Sequence, residues 1–263
     1  MSFTHTACLT VAGTATIHRT SETIELLHSR SSIRAFAERG IDDCLLDTVL
    51  AAAVRAPTSF NFQAYALVVV RDPVRREKLA ALAGQRHVAA APVVVVICAD
   101  TARLCGLGAA YQERVRPHDQ DLLMIATIDA SLAGMCLALS AESLGLGSAM
   151  CGGVRNRPDE LAALLELPPE VIPLFGICLG WPERRPSPRP RIRSELLAHQ
   201  ERYQGRQARH ALNVDQSTLD KRDDPVSAAD VTAWQKQIQR GLRFAGREVD
   251  GASACGARGE RAT

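Results

Sequence analysis

The strongest constraint on the fold is a helical pattern over residues 119–144 whose interior carries almost no charge. A helix that is apolar on nearly every side has to be covered by other elements, so this segment predicts a core helix. Gly145 follows it as a natural C-terminal stop. No apolar run approaches the roughly 20 residues that a membrane span requires, and we therefore predict no membrane-spanning segment.

Helices and strands alternate along the rest of the chain. Apolar runs predict strands at 65–70, 93–98, 146–151 and 172–180, and helical spacing predicts helices that include 73–83, 158–165 and 231–244. Residues 101–118 fit either a loop or a broken helix. With 263 residues, of which 46% are hydrophobic, the chain can build one large domain or two at most. The alternation predicts an α/β or α+β layered fold.

Composition also suggests where the chain divides. We predict an N-terminal extension at 1–20, a main domain at 21–204, a polar C-terminal excursion at 205–245 and a disordered Gly/Ala/Arg-rich tail at 246–263. Residues 1–20 lack the basic and apolar regions of a secretory signal, which favours a cytoplasmic protein.

Charge and cysteine usage limit the classes of function. The formal net charge is only +2, which argues against a nucleic-acid-binding protein, because such proteins usually carry a clear basic excess. The eight cysteines form no C-x-x-C pair, and several lie in apolar runs. This pattern is typical of reduced, buried thiols rather than of disulfides or zinc ligands. The histidines show no metal-ligand spacing either, so we predict no metal site.

One short run suggests recognition of a phosphate. Residues 28–36 place Arg30 and Arg34 four positions apart, with Ser31 and Ser32 between them. If the run is helical, both arginines lie on one face. A guanidinium matches phosphate oxygens, and each charge-assisted hydrogen bond contributes roughly 1.5–3 kcal/mol. Taken alone, however, the run is explained more simply as a solvated helix face.

Other polar segments at predicted loop positions make the phosphate hypothesis stronger. They are residues 58–61, Gln85, residues 151–153 and residues 189–191. Amide side chains both donate and accept hydrogen bonds, so they suit the edge of a polar heterocycle. A glycine pair lets backbone N–H groups approach a flat ring closely. Cys151 is a possible reactive thiol, although a small buried filler is the favoured interpretation. Dinucleotide-fingerprint, P-loop, H-E-x-x-H and G-x-S-x-G patterns are absent.

Several of these segments, taken in order, resemble those of a known family. The matching stretches are 32–36, 55–56 with the following loop, 84–89, 141–147, 152–156, 174–182 and 189–191. Over about residues 21–204 the chain resembles the flavin-dependent nitroreductases. It is most similar to the branch of NADPH-preferring oxygen-insensitive nitroreductases and NADPH–flavin oxidoreductases.

The resemblance implies a tightly bound FMN and assigns residues to its parts. Arg30, Ser31, Ser32 and Arg34 would hold the phosphate and ribityl end, and Arg189 and Arg191 would close on the phosphate. Thr58, Ser59 and Asn61 would line the ring, Gln85 would lie at its polar edge, and Cys151, Gly152 and Gly153 would offer backbone groups near flavin N5. Two positions depart from the family pattern. Ser31 and Ser32 stand where Arg-Ser is usual, which would remove one positive charge, and Arg189 stands where Lys is common.

The resemblance also implies a fold, partners and an activity. The fold would be a three-layer α+β homodimer with a central mixed sheet flanked by helices, a long central helix and flavin sites at the subunit interface. NADPH, or NADH, would reduce the flavin and leave, and a nitroaromatic, quinone or free flavin would then take two electrons in a ping-pong cycle. The flavin would carry the chemistry, so no catalytic side chain is assigned. The alternative is a flavin-binding carrier or sensor without reductase turnover. Neither nucleic acid nor membrane is an expected partner.

Overall fold

The computed structural model describes residues 20–116, 119–205, 214–221 and 225–245, with side chains up to residue 242. The helices are α1 (Glu22–Ser29), α2 (Asp43–Ala53), α3 (Pro73–Ala83), α4 (His87–Ala90), α5 (Ala102–Ala110), α6 (Gln120–Ser143), α7 (Pro158–Leu165), α8 (Ser194–Leu197) and α9 (Ala228–Ala245). The strands are β1 (Tyr65–Val70), β2 (Val93–Asp100), β3 (Gly147–Cys151), β4 (Val171–Gly180), β5 (Arg191–Ile192) and β6 (Leu219–Asp220). The chain forms two compact units. One is Arg30–Pro186, and the other combines the described residues up to Ser29 with those from Ser187 onward.

A four-stranded sheet forms the middle of the Arg30–Pro186 unit, in the order β1-β2-β4-β3. Every neighbouring pair in this sheet is antiparallel, so the predicted mixed sheet is wrong for the strands described here. A helical connection between strands usually indicates parallel pairing. Here Val70 at the end of β1 pairs with Val94 at the start of β2. The chain therefore returns through α3 and α4 to the same end of the sheet that it left, as a long hairpin connection would.

Helices cover both faces of this sheet, which confirms the predicted three layers. Side chains of α2 and α6 pack on one face, and side chains of α3, α4 and α7 pack on the other. β2 contributes to both clusters because its alternate residues face opposite sides, with Val93, Val95 and Ile97 on the first face and Val94, Val96 and Cys98 on the second. All of β2 is buried, as its continuous apolar sequence predicts.

Local sequence signals fix several helix boundaries. The Asp72 carboxylate accepts a hydrogen bond from the Arg75 amide at 2.8 Å and caps α3, which has Pro73 at its first position. Gly84 ends the same helix with φ +64°, a left-handed conformation that glycine adopts at little cost. The helix predicted at 73–83 is thereby confirmed. Residues 101–118 were ambiguous, and they contain the short helix α5.

The long helix α6 lies in the core, as the sequence predicts. Ala130, Ala133 and Leu137 are buried in the cluster between α6 and the sheet. By length and composition alone α6 is also apolar enough to cross a membrane, but a core helix meets the same criterion. One stripe of the helix is not covered by the residues that the structure describes, because Met124, Ile128 and Leu132 are exposed.

The second unit is smaller in regular structure. It contains α1, α8, α9 and the two-stranded antiparallel sheet of β5 and β6. The amphipathic helix predicted at 231–244 is confirmed as part of α9. Residues 1–19 and 246–263 lie outside the described residues, so the predicted extension and tail stay predictions.

Candidate functional site

The run that contains both phosphate-binding candidates is not helical. α1 ends at Ser29, and the Ile33 amide donates to the Ser148 carbonyl of β3 at 2.8 Å. Ile33 is buried against Gly147, where an added Cβ would lie 2.6 Å from the Ile33 side chain. This apolar anchor holds the run along β3. The condition under which Arg30 and Arg34 would share one helix face is therefore not met.

Arg30 is held from the core by a carboxylate. Its Nε and Nη2 donate to the two carboxylate oxygens of Glu142 in α6, at 3.1 and 3.0 Å. The Glu142 side chain is 2% exposed and that of Arg30 is 19% exposed. The Ser148 hydroxyl donates to the same carboxylate at 2.5 Å. Glu142 thus connects the run, the long helix and β3, and it balances the charge of Arg30.

Arg34 differs from Arg30, because it is exposed and forms no ion pair with any residue in the described ranges. The pKa values of two neighbouring side chains indicate where the Arg34 guanidinium lies. Burial lowers the pKa of His87 at the start of α4, and the nearby Arg34 guanidinium lowers it further. The pKa of Cys178 in β4 rises to about 12 because of burial, partly opposed by Arg34. The guanidinium therefore lies near both α4 and β4 with its charge available to an anion. His87 Nε2 is buried without a hydrogen-bond partner in the described part of the chain.

A second buried carboxylate of α6 holds both ends of the loop before β1. We call this loop, residues 59–64, the clamped loop. Asp129, whose side chain is buried, accepts hydrogen bonds from the Ser59 amide at 2.9 Å and from the Ala64 amide at 3.3 Å. One oxygen serves each end of the loop. Sequence analysis missed both Asp129 and Glu142. The available signal was the presence of isolated carboxylates inside an otherwise apolar helix, where burial without partners would be costly.

The backbone of the clamped loop, between the amides of Ser59 and Ala64 that Asp129 binds, is unusual. Phe60, Asn61 and Gln63 have φ values of +49°, +58° and +52°. Non-glycine residues in this left-handed region cost on the order of 1–3 kcal/mol each, and such strain concentrates at functional sites. The Gln63 amide donates to the Asn61 carbonyl at 3.2 Å and to its side-chain oxygen at 3.3 Å. Phe60 and Gln63 were not among the predicted site residues, and nothing in their residue types reveals the backbone angle.

Gln85 and Gly153 are brought together, as the predicted site requires. A Cβ on Gly153 would lie 2.3 Å from the Ala83 carbonyl oxygen and 3.2 Å from Gln85 Nε2. Packing against the end of α3 therefore explains the glycine at 153. At Gly152 an added Cβ would meet only the Arg155 guanidinium, at 3.5 Å. Gly152 is consequently the member of the pair with space on the side where a Cβ would stand.

Cys151, directly before the glycines, is a buried filler as the sequence suggested. Burial raises the pKa of its thiol, and the backbone N–H groups of Gly153 and Val154 oppose the rise. A buried neutral thiol is a poor nucleophile.

Sheet topology places two of the candidate groups toward the same end of the strands. Residues 58–61 precede β1, and Gly152 and Gly153 follow β3. Tyr65 pairs with Ala99, Ala99 pairs with Ile172, and Cys151 pairs with Gly176. β1 therefore begins, and β3 ends, toward the end of the sheet at which β4 begins.

Arg189 and Arg191 belong to the other unit. Arg189 Nη1 hydrogen-bonds to the Gln237 side chain, and Arg191 Nη1 donates to the Arg189 carbonyl at 3.1 Å. Their role at a phosphate stays a prediction. Across the described ranges, no group of three or more His, Cys, Asp or Glu side chains is placed to hold a metal ion.

Comparisons with known proteins agree on one family. The model of the nitroreductase family matches residues 27–181, which include every candidate residue of the Arg30–Pro186 unit. The oxygen-insensitive NADPH nitroreductase of Salmonella typhimurium is 34% identical over 237 residues, covering 84% of this chain and 91% of the relative. The FMN reductase (NADPH) of Bacillus subtilis is 31% identical over 224 residues, covering 83% of this chain and 90% of the relative.

A solved structure is similar over nearly the same extent. The NADPH:FMN oxidoreductase from Vibrio harveyi, complexed with NAD+, has a TM-score of 0.69 and 27% identity, and the match covers 88% of this chain and 94% of that chain.

Proposed function

Because the chain belongs to the nitroreductase family, we propose that it is an FMN-dependent oxidoreductase. Its electron donor is NADPH, or NADH, and its acceptors are nitroaromatics, quinones or flavins. The observation that carries this proposal is the family match over residues 27–181, which contains the unpaired Arg34, the clamped loop and the Gln85–Gly153 contact.

The described residues fit the groups of FMN. A phosphate needs positive charge and hydroxyl donors, and exposed Arg34 with half-buried Ser31 and Ser32 supplies both. A polar ring needs donors and acceptors along one edge, and the Gln85 amide beside Gly153 supplies them. The space on the side of Gly152 where a Cβ would stand supports close approach of a flat group to the backbone.

When bound, FMN supplies two-electron transfer between donor and acceptor in a ping-pong cycle. The chain's own residues bind and orient. Arg34 binds the phosphate, and Arg30, neutralised by Glu142, fixes the run from which Ser31, Ser32 and Arg34 project. Asp129 fixes the loop that carries Thr58, Ser59 and Asn61 beside the ring. The roles of Arg189 and Arg191, which belong to the other unit, rest on the resemblance alone.

We further propose a homodimer with the active sites at the subunit interface. The exposed apolar stripe of Met124, Ile128 and Leu132 on α6 supports this arrangement, because a stripe of this kind on a core helix is typical of a surface that another protein covers. A cytoplasmic location is supported by the free cysteines at the described positions, since a reducing compartment keeps thiols unpaired.

Reconstitution tests the proposal. Purified protein is mixed with FMN, passed through a desalting column and examined for a flavin spectrum, and NADPH is then added without oxygen. We expect retained flavin and rapid loss of its yellow colour. Retained flavin that NADPH leaves yellow would instead indicate a carrier or sensor. Protein that stays colourless would contradict FMN binding altogether.

A further inference from the structure

One aromatic ring in the clamped loop stands out by its exposure. Phe60 is 86% exposed, more than Tyr111 at 77% or Tyr203 at 74%, and more than any other large hydrophobic side chain in the described ranges. Exposure of a phenylalanine leaves a large apolar area in water, which is unfavourable. The same residue has a left-handed backbone with φ +49°. Two unfavourable features coincide at one position.

The loop holds this ring in a fixed place. Asp129 binds the amides of Ser59 and Ala64, so both ends of the loop are attached to α6. Phe62 packs against a buried cluster that includes Ala64 and Leu104. The Phe60 and Phe62 rings have centroids 5.4 Å apart and an interplanar angle of 39°. Phe60 is therefore supported from below on one side, and most of its surface remains free.

Asn61, the residue that follows Phe60 in the sequence, carries hydrogen-bonding groups. Asn61 is exposed, and its side-chain oxygen already accepts from Gln63 Nε2. Its Nδ2 donor makes no hydrogen bond with the described residues. A flat molecule on the Phe60 ring would thus meet an apolar face together with an amide donor. Nitro and quinone oxygens are acceptors on the rim of such a flat, electron-poor ring.

We propose that Phe60 is a specificity-determining residue. It stacks on flat aromatic electron acceptors and positions them over the clamped loop. The inference rests on the proposed function, because it uses the placement of residues 58–61 beside the flavin. Among the acceptors already proposed, it assigns the preference for nitroaromatics and quinones to one side chain. A surface of a second copy of this chain is the competing occupant of the ring.

The test compares three variants of the full-length, FMN-reconstituted protein. Phe60→Leu keeps an apolar side chain but removes the aromatic face, Phe60→Tyr keeps the face, and Tyr111→Leu removes an exposed aromatic ring elsewhere. The readouts are the KM for 4-nitrobenzoate, the Kd of benzoate from its perturbation of the flavin spectrum, the Kd of FMN, and sedimentation. Benzoate is not reduced, so its Kd reports binding without turnover.

We expect Phe60→Leu to raise both the KM for 4-nitrobenzoate and the Kd of benzoate about tenfold, the size expected for loss of one aromatic pair. Phe60→Tyr and Tyr111→Leu should stay within about twofold of the wild type, which is below the energy of one such pair. The FMN Kd should be the same in all three variants.

Three results would contradict parts of this account. Unchanged benzoate and nitrobenzoate values in an active Phe60→Leu variant would overturn the inference and leave the proposed function standing. Altered sedimentation of Phe60→Leu with unchanged benzoate binding would assign Phe60 to contact between copies and likewise overturn it. Wild-type protein that retains no FMN would overturn the proposed function and this inference together.

Discussion

Arg34 offers a positive charge that no carboxylate in the described ranges neutralises, whereas the charge of Arg30 is balanced by Glu142. We therefore expect Arg34→Ala to weaken FMN binding by roughly 1.5–3 kcal/mol, the contribution of one charged hydrogen bond. Fluorescence titration of the apoprotein with FMN measures this change. Arg157→Ala is the matched control, because Arg157 is an exposed arginine paired only at the surface with Glu160. Unchanged FMN affinity in Arg34→Ala would refute the phosphate role.

Glu142 stabilises the fold through its buried ion pair with Arg30, a contact that its position in the sequence does not reveal. Glu142→Gln leaves the Arg30 guanidinium without its charged partner in a largely buried place. Breaking such a pair is strongly destabilising, and we expect the free energy of unfolding to fall by about 3 kcal/mol. Urea denaturation measures the loss. Glu160→Gln, which removes an exposed ion pair, should cost less than about 1 kcal/mol. Equal effects of the two substitutions would show that the buried pair has no special weight.

Residue types alone suggested part of the candidate site. Arginine suits a phosphate, a side-chain amide suits the edge of a polar ring, and glycine allows close approach to the backbone. Arg34, Gln85 and Gly152 could therefore be selected from the sequence. Asp129 and Glu142 were detectable only as carboxylates inside an apolar helix. Their partners Ser59 and Arg30 could not be identified, because they lie 70 and 112 positions away along the chain. Phe60 was missed for a different reason, because nothing in its residue type predicts a positive φ.

The exposed stripe of α6 leads to a prediction about assembly. Ile128→Glu places a charge in the middle of the stripe, and burying that charge against a second copy costs several kcal/mol. We expect this variant to sediment as a monomer where the wild type sediments as a dimer. Val74→Glu is the control, since Val74 is an equally accessible apolar residue on α3. Dimeric Ile128→Glu protein would exclude this face from the interface.

Elements were predictable where a local signal defines them. Asp72, Pro73 and Gly84 mark both ends of α3, and the apolar run of β2 shows that both faces of that strand are buried. Strand direction had no local signal. The alternation of strands and helices usually indicates parallel pairing, whereas the pairing of Val70 with Val94 makes β1 and β2 antiparallel.

At the scale of the whole molecule, α6 is the element that organises the site. Glu142 near its C-terminal end holds Arg30 and Ser148, and Asp129 near its middle holds the loop at Ser59 and Ala64. The apolar residues of the same helix cover one face of the sheet. The pattern that predicted a core helix therefore also marks the part of the chain to which the candidate site is attached.

The central claim is that this scaffold supports a flavin that is reduced by one substrate and oxidised by another in separate steps. Stopped-flow absorbance of the FMN-reconstituted protein tests it most directly. The protein is mixed with NADPH alone under anaerobic conditions and, in a second mixing step, with 4-nitrobenzoate. The account predicts complete loss of flavin absorbance in the first step and its return in the second. Flavin that remains oxidised in NADPH, or that is reduced only when the acceptor is also present, would contradict the account.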